Sequence, residues 1–289
     1  MKFPELSYAA DTDPRLKRWF IKSIERWAGR DYFVPLYEIW RRDYVAEGGP
    51  VMLPVLDLIR VELEIAAGHW PPKLNPDAPV VIVSNHPYGI MDGFGALALA
   101  EDLGRPFRAL IHKDLMRVPE IGPYGLPIDF SETREARTLN ISTRKAALSL
   151  LQAGTTIIVF PGGGVATSPT MFGRAVDLPW KTFTARMIMA SRAQVLPLFF
   201  EGQCSPLFHF MSKFSPTVRM SLMIREFRRR VGQPLRVHVG DVLTSDDLSN
   251  AGDRKSLMNA LFERVYAMSD VPAPEALQRM ARLPEWLRQ

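Results

Sequence analysis

Val80-Val81-Ile82-Val83-Ser84-Asn85-His86-Pro87-Tyr88-Gly89-Ile90-Met91-Asp92 is the stretch on which the fold turns. Its four β-branched residues predict a stiff, buried strand over 80–84, which fixes whatever stands at its C-terminal tip. Pro87 and Gly89 favour a turn, and Met91 to Ala100 reads as the opening of a helix predicted over 92–103. The tip therefore carries His86, with Asp92 six positions later. That spacing does not share a helical face, so the two side chains meet only if the turn folds Asp92 back toward the ring. Folded back, they form a dyad in which the imidazole takes a proton from an attacking hydroxyl and the carboxylate holds its tautomer. Left apart, they are a strand-end histidine and an aspartate favoured by the positive end of a helix dipole. Spacing alone leaves both open.

Outward from this stretch, strands alternate with helices: strand 107–111, helix 141–153, strand 155–160, helix 181–191, and strands 194–200 and 235–240. Such alternation predicts an α/β fold, a mixed, mostly parallel sheet covered by helices. Gly154 is expected to cap helix 141–153 in the left-handed conformation. Helices 253–268 and 273–287 follow, the last broken by Pro284. Upstream, 14–29, 34–46 and 52–67 read as helices separated by Gly29-Arg30-Asp31 and Gly48-Gly49-Pro50, and the proline-rich segment 71–79 marks a connector. The expected organisation is a helical, membrane-associating N-terminal segment over 1–75 and an α/β domain over 76–289.

With 289 residues, 47% of them hydrophobic, the chain can bury a sizeable core and is not of disordered composition. The single cysteine, Cys204, excludes an internal disulfide framework and fits a reducing compartment, where it reads as a small buried hydrophobe. No uninterrupted apolar run of about 18 residues is present, and Met1-Lys2-Phe3-Pro4-Glu5 lacks the apolar stretch of a secretory signal. The expectation is a cytoplasmic chain that does not span a bilayer. Its net charge of +5 is unevenly spread: Arg15, Lys17, Arg18, Lys22, Arg26 and Arg30 stand against Glu25 alone, interleaved with Leu16, Trp19, Phe20, Ile24 and Trp27. On a helix these apolar residues form one stripe ringed by cations, suited to the inner face of an anionic membrane with Trp19, Phe20 and Trp27 as anchors. The same pattern fits an amphipathic helix packed on the domain. No zinc spacing, RNA-binding signature or basic zipper supports nucleic acid as a partner.

Two further strand ends carry polar or glycine-rich loops. Phe160-Pro161-Gly162-Gly163-Gly164-Val165-Ala166-Thr167 lets backbone amides at Gly162, Gly163 and Gly164 approach an oxyanion or a phosphate closely, as a tight turn also requires. No Lys-Ser or Lys-Thr pair follows at P-loop spacing, and the Gly-x-Ser-x-Gly elbow of serine hydrolases is absent. Strand 194–200 runs into Glu201-Gly202-Gln203-Cys204-Ser205-Pro206, and open α/β sheets bind ligands along this edge. His69, His112, His209 and His238 have no partner at metal-ligand spacing, so structural roles are expected for them.

Ser84-Asn85-His86-Pro87-Tyr88-Gly89-Ile90-Met91-Asp92-Gly93, Lys113-Asp114-Leu115, Phe160-Pro161-Gly162-Gly163 and Val195-Leu196-Pro197-Leu198 occur in the order seen in the glycerolipid, or lysophospholipid, acyltransferase family, which the chain resembles over roughly 75–242. Leu178-Pro179-Trp180-Lys181, the segment from Phe199 to Phe208 and Ser215-Pro216-Thr217-Val218-Arg219 are similar to its hemolysin-like, or ornithine-lipid-type, branch. The resemblance implies that His86 and Asp92 are the catalytic dyad, with backbone amides around Gly162 to Gly164 stabilising the oxyanion. It implies a lysolipid acceptor, an acyl-ACP (acyl carrier protein) or acyl-CoA (coenzyme A) thioester as donor, and neither a bound cofactor nor a metal.

Two departures stand out. The usual histidine-to-aspartate spacing is one residue shorter than here, as expected for the hemolysin-like branch. The family's Phe-Pro-Glu-Gly-x-Arg motif, whose charges serve the acceptor's glycerol phosphate, is here Phe160-Pro161-Gly162-Gly163-Gly164-Val165, without either charge. A phosphate entering a poorly solvated cleft needs a charged or multiply hydrogen-bonded partner, for which Asn85, Lys113, Arg117, Arg174 and Lys181 are the candidates. The expected activity is O-acyl transfer to a lyso-aminolipid of the ornithine-lipid type. The rivals are a lysophosphatidic acid acyltransferase with a relocated phosphate site and a catalytically silent membrane-surface protein.

Overall fold

Residues 3–7, 9, 13–249 and 251–288 are described by a computed structural model. Helices α1 (Arg15–Trp27) and α2 (Arg30–Trp40) lead through a π-helical turn, Arg41–Val45, to α3 (Met52–Leu58) and strand β1 (Leu63–Ala67). Then come β2 (Val80–Ser84), α4 (Ile90–Asp102), β3 (Phe107–His112), β4 (Gly125–Ile128), α5 (Arg134–Gln152), β5 (Thr156–Val159), α6 (Phe183–Ser191) and β6 (Gln194–Phe200). Three short helices, α7 (Pro206–Met211), α8 (Pro216–Ser221) and α9 (Met223–Arg229), precede β7 (Leu235–Val239). Helices α10 (Ser245–Ser249), α11 (Arg254–Tyr266), α12 (Ala273–Ala281) and α13 (Glu285–Arg288) close the described chain.

The seven strands form one sheet in the order β1-β7-β6-β2-β5-β3-β4. All neighbours are parallel except β6 and β7, so the expected α/β, mostly parallel sheet is what forms. Strands β2, β5 and β6 are buried along their whole length, as apolar runs covered on both faces must be. Alternate side chains feed two cores. Val80 and Ile82 pack with Met52, Leu56, Met91 and Phe227 on one face, while Val81 and Val83 pack with Leu151, Ile188, Leu261 and Val265 on the other. Chain order reverses around β2: β3 lies beyond β5 on one side and β6 is its direct neighbour on the other, the arrangement that opens a crevice at the strands' carboxyl ends.

Helix α5 ends as expected. Gly154 has φ +86°, its N–H donates to the Leu151 carbonyl, and that of Thr155 donates to Leu150, the two bonds of a Schellman cap. The same helix starts seven residues before the predicted 141, at Arg134, where the Thr133 hydroxyl accepts from the Ala136 amide. The predicted helix 52–67 is overturned. It stops at Leu58, Arg60 turns left-handed at φ 56°, and Leu63–Ala67 becomes an edge strand paired with β7. The reason is in the residues: Val61-Glu62-Leu63-Glu64-Ile65 alternates apolar with acidic at the period of a strand. Residues upstream of the proline-rich connector thus share the sheet with residues downstream of it.

Helix α3 is held from outside. The Glu101 carboxylate, at the end of α4, accepts from the amides of Val51 and Met52 at 2.9 Å and of Leu53 at 3.4 Å, satisfying donors that a helix start leaves open. Glu101→Ala is expected to cost roughly 1–3 kcal/mol, the scale of a hydrogen-bonded charge on a helix terminus. Urea denaturation checks this, and an unchanged midpoint would mean that packing alone holds α3.

Candidate active site

The turn after β2 does what the spacing required. Gly89, at φ +77°, opens α4, and a side chain there would strike Val165 and Met223. Asp92 in the first turn of α4 is completely buried, and its Oδ2 lies 2.5 Å from His86 Nδ1. Its Oδ1 accepts from the Tyr88 amide at 2.7 Å, so one carboxylate fixes both the ring and the turn that brings it near. The His86 ring stacks on Phe160, with centroids 4.1 Å apart, and keeps 19% of its side chain exposed. With Nδ1–H directed at the carboxylate, Nε2 is the ring nitrogen left with a free lone pair.

Asp177, which no motif singled out, braces the same turn. Its Oδ1 accepts from the His86 amide at 3.0 Å, its Oδ2 from Trp180 Nε1 at 2.9 Å, and its own amide donates to Tyr266 Oη at 2.8 Å. Burial raises its pKa to about 6, against the pull of the Trp180 and His86 donors. Sequence reasoning missed it because two of its partners stand 91 and 89 residues away.

The glycine loop after β5 lies against this turn, the Ala166 amide donating to the His86 carbonyl at 2.7 Å. Arg219, almost fully buried, donates to Thr167 Oγ1 at 2.6 Å and to the Val165 carbonyl, and its guanidinium lies over the Phe208 ring. Desolvation lowers its pKa to about 10. A Cβ at Gly162 would come within 3.0 Å of the Leu178 carbonyl oxygen, one at Gly163 within 2.9 Å of Phe130, and one at Gly164 within 2.9 Å of the Leu178 side chain. The expectation for the three amides is corrected in one respect: that of Gly163 donates to the Phe160 carbonyl inside the turn. Among the described residues, those of Gly162 and Gly164 have no protein acceptor.

The five expected binding residues separate. The Asn85 amide is spent inside the protein, accepting from Phe200 N–H at 2.7 Å and donating to Phe200 O at 2.9 Å, which ties β2 to β6. Lys113 is paired with Asp129 at 2.6 Å, and Arg117 reaches Asp114 at 3.3 Å and the Ser7 carbonyl at 3.5 Å. Arg174 pairs with Asp270 at 2.6 Å. Lys181 donates its backbone amide to Pro161 O, and burial holds its amine below the usual lysine pKa. Against the turn that carries His86 lies a cleft of about 670 Å³, lined by Asn85, Pro87 and Tyr88 on one wall and by Glu201, Gly202 and Gln203 on another, with neither His86 nor Asp92 in its lining. Gly202, at φ +100°, leaves room for the Tyr88 hydroxyl, which any Cβ there would strike. Arg174 lines this cleft, as do Arg230 and Arg236, two cations the motifs did not single out.

Because the folded pKa of Asp177 lies above its ordinary 3.8, its protonated form stabilises the fold, fully below that pH, and this contribution is lost as pH rises through about 6. Relative to Asp177→Asn, the wild type is expected to lose on the order of 3 kcal/mol across that window and to run parallel above it. Urea midpoints of both proteins between pH 4 and 8 check this; parallel profiles throughout would refute it.

Comparison with known proteins agrees with the geometry. A family model described as Acyltransferase matches residues 67–271. The lyso-glycine lipid O-acyltransferase of Phocaeicola vulgatus is 33% identical over 142 residues, 47% of this chain and 47% of that protein, so the chain spans about half the length of this curated relative. Residues 67–271 enclose the His86 turn, the glycine loop and the cleft wall, and the chain belongs to this acyltransferase family.

Proposed function

We propose that the chain transfers a fatty acyl group from the thioester of acyl carrier protein or coenzyme A to the hydroxyl of a lyso-aminolipid. The observation that carries this reading is the His86–Asp92 pair, with Nδ1 held by a buried carboxylate and the ring partly exposed. The lipid hydroxyl attacks the thioester carbonyl as Nε2 takes its proton. The tetrahedral oxyanion is met by the amides of Gly162 and Gly164, which donate to no protein acceptor among the described residues. Collapse expels the thiolate, which takes the proton back from the imidazolium and leaves as thiol, with the new ester formed. Asp92 keeps the proton-bearing nitrogen on its own side and stabilises the imidazolium.

An amino-acid head group is preferred to a glycerol phosphate for two reasons. The glycine loop offers no charge, and the Phocaeicola vulgatus relative is named for a lyso-glycine lipid. Ornithine and glycine head groups share an α-carboxylate, which is the chemistry the site must recognise. Purified protein with labelled acyl thioester and a panel of lysolipids is expected to form diacyl product from aminolipid acceptors. His86→Ala is expected to lower kcat by roughly 10²–10⁴-fold. Turnover at near wild-type rate in that variant would remove the dyad from the mechanism.

Access to lipid comes through α1, on the inner face of the membrane. Leu16, Trp19, Phe20 and Trp27 are exposed on this basic helix, which buries only Ile21 and Glu25. Four large apolar side chains left in water on one short helix suit a headgroup boundary better than a packed core. Among the described residues no helix is long and apolar enough to cross a membrane. Sedimentation with anionic liposomes is expected to fall in Trp19→Ala/Trp27→Ala and with rising salt; unchanged binding in both would assign α1 another role.

A further inference from the structure

The cleft lined by Asn85, Pro87 and Tyr88 holds three guanidinium groups with unequal partners. Arg174 is neutralised by Asp270 at 2.6 Å and Arg236 by Glu64 at 2.9 Å. Arg230 has no carboxylate partner among the described residues. It donates to Gln233 Oε1 at 2.7 Å and to the Pro234 carbonyl, both neutral, and its Nε is buried without a partner. The other carboxylate on this wall, Glu201, is engaged by His238 Nε2 at 2.5 Å. A guanidinium without a carboxylate partner on a cleft wall is a site for an anion.

Its position says which anion. The guanidinium lies 4.7 Å over the ring of Tyr88, the residue whose amide Asp92 holds, and the residues flanking His86 on both sides, Asn85 and Pro87, line the same cleft. A group bound here lies against the chain on either side of His86. Arg230 directly follows α9, whose Arg225 stacks on Trp27 of the exposed aromatic helix. Resting on the acyl-transfer reading above, we propose that this cleft seats the acceptor's head group and that Arg230 is the counter-charge for its carboxylate.

N-octanoylglycine and its methyl ester, titrated calorimetrically into the full chain, test this without turnover. The wild type is expected to bind the acid at least about tenfold more tightly than the ester, the scale of a charge-assisted hydrogen bond. Arg230→Met is expected to erase that preference while leaving ester binding within about twofold, and Arg230→Lys to keep part of it. Retained ester binding reports an intact cleft. Arg230→Gln, which keeps a donor for the Pro234 carbonyl but no charge, repeats the test should the Met variant misfold. A preference surviving in both neutral variants, or absent from the wild type, overturns the proposal. So does an Arg230 effect confined to the KM of the acyl thioester, which would give the cation to the donor's phosphate. Acid preference without turnover of any lysolipid would retain the anion site and sink the acyl-transfer reading; turnover with no acid preference would do the reverse.

Discussion

The site depends on the two oxygens of one buried carboxylate. Asp92 has no exposed surface, and a carboxylate withdrawn from water costs several kcal/mol unless its lone pairs are met. They are met by the His86 ring and by the Tyr88 amide, two groups on opposite sides of Pro87. The turn from β2 into α4 is thereby closed by the interaction that orients the His86 ring. Ring and turn cannot be uncoupled: a conformation that released Tyr88 would leave a buried anion half satisfied. The N-terminal turn of α4 adds its own favourable field for the charge.

Two other buried charges act on the backbone around this pair. Asp177 accepts from the amide of His86, and Arg219 donates to the carbonyl of Val165, whose neighbour Ala166 is bonded back to His86. An anion thus grips the turn after β2 and a cation the loop after β5, each through main-chain dipoles. Burial moves both pKa values toward neutrality, that of Asp177 up to about 6 and that of Arg219 down to about 10. Buried charges of this kind are poor contributors to stability. Their effect here is geometric: they fix the loop amides relative to the imidazole, and fixed dipoles need no reorganisation when charge develops.

What was legible in the sequence was what local periodicity and chain punctuation encode. Strands β2, β5 and β6 announce themselves as apolar runs, and Gly154 marks the end of α5. His86 and Asp92 stood out because they share one loop. Strand β4 was missed because Gly125-Leu126-Pro127-Ile128 is short and carries a proline, which weakens a strand signal, and β4 is an edge. Helices α7 and α8 were also missed, although Ser205-Pro206 and Ser215-Pro216 are capping-residue and first-turn proline pairs that signal them. Asp177, Arg219 and Arg230 lie beyond sequence reading for another reason. Each meets the site across the fold, and no spacing in the chain records that meeting.

The same packing explains why the glycine loop has lost the family's charges. Gly162, where the pattern has glutamate, lies so close to the Leu178 carbonyl that a Cβ would come within 3.0 Å of it. Val165, where the pattern has arginine, is buried beneath Gly89 and belongs to the core beside Met223. A guanidinium there would enter an apolar layer already bordered by Arg219, which binds the carbonyl of this very residue. Both substitutions back to the family's charges are opposed by sterics and desolvation together. The loop is thus packed down to serve the backbone and carries no charge of its own. The wall that carries an unneutralised cation is the one reached through Tyr88. The loop bonded to the His86 turn through Ala166 is, by that same packing, poorly able to carry a charge of its own.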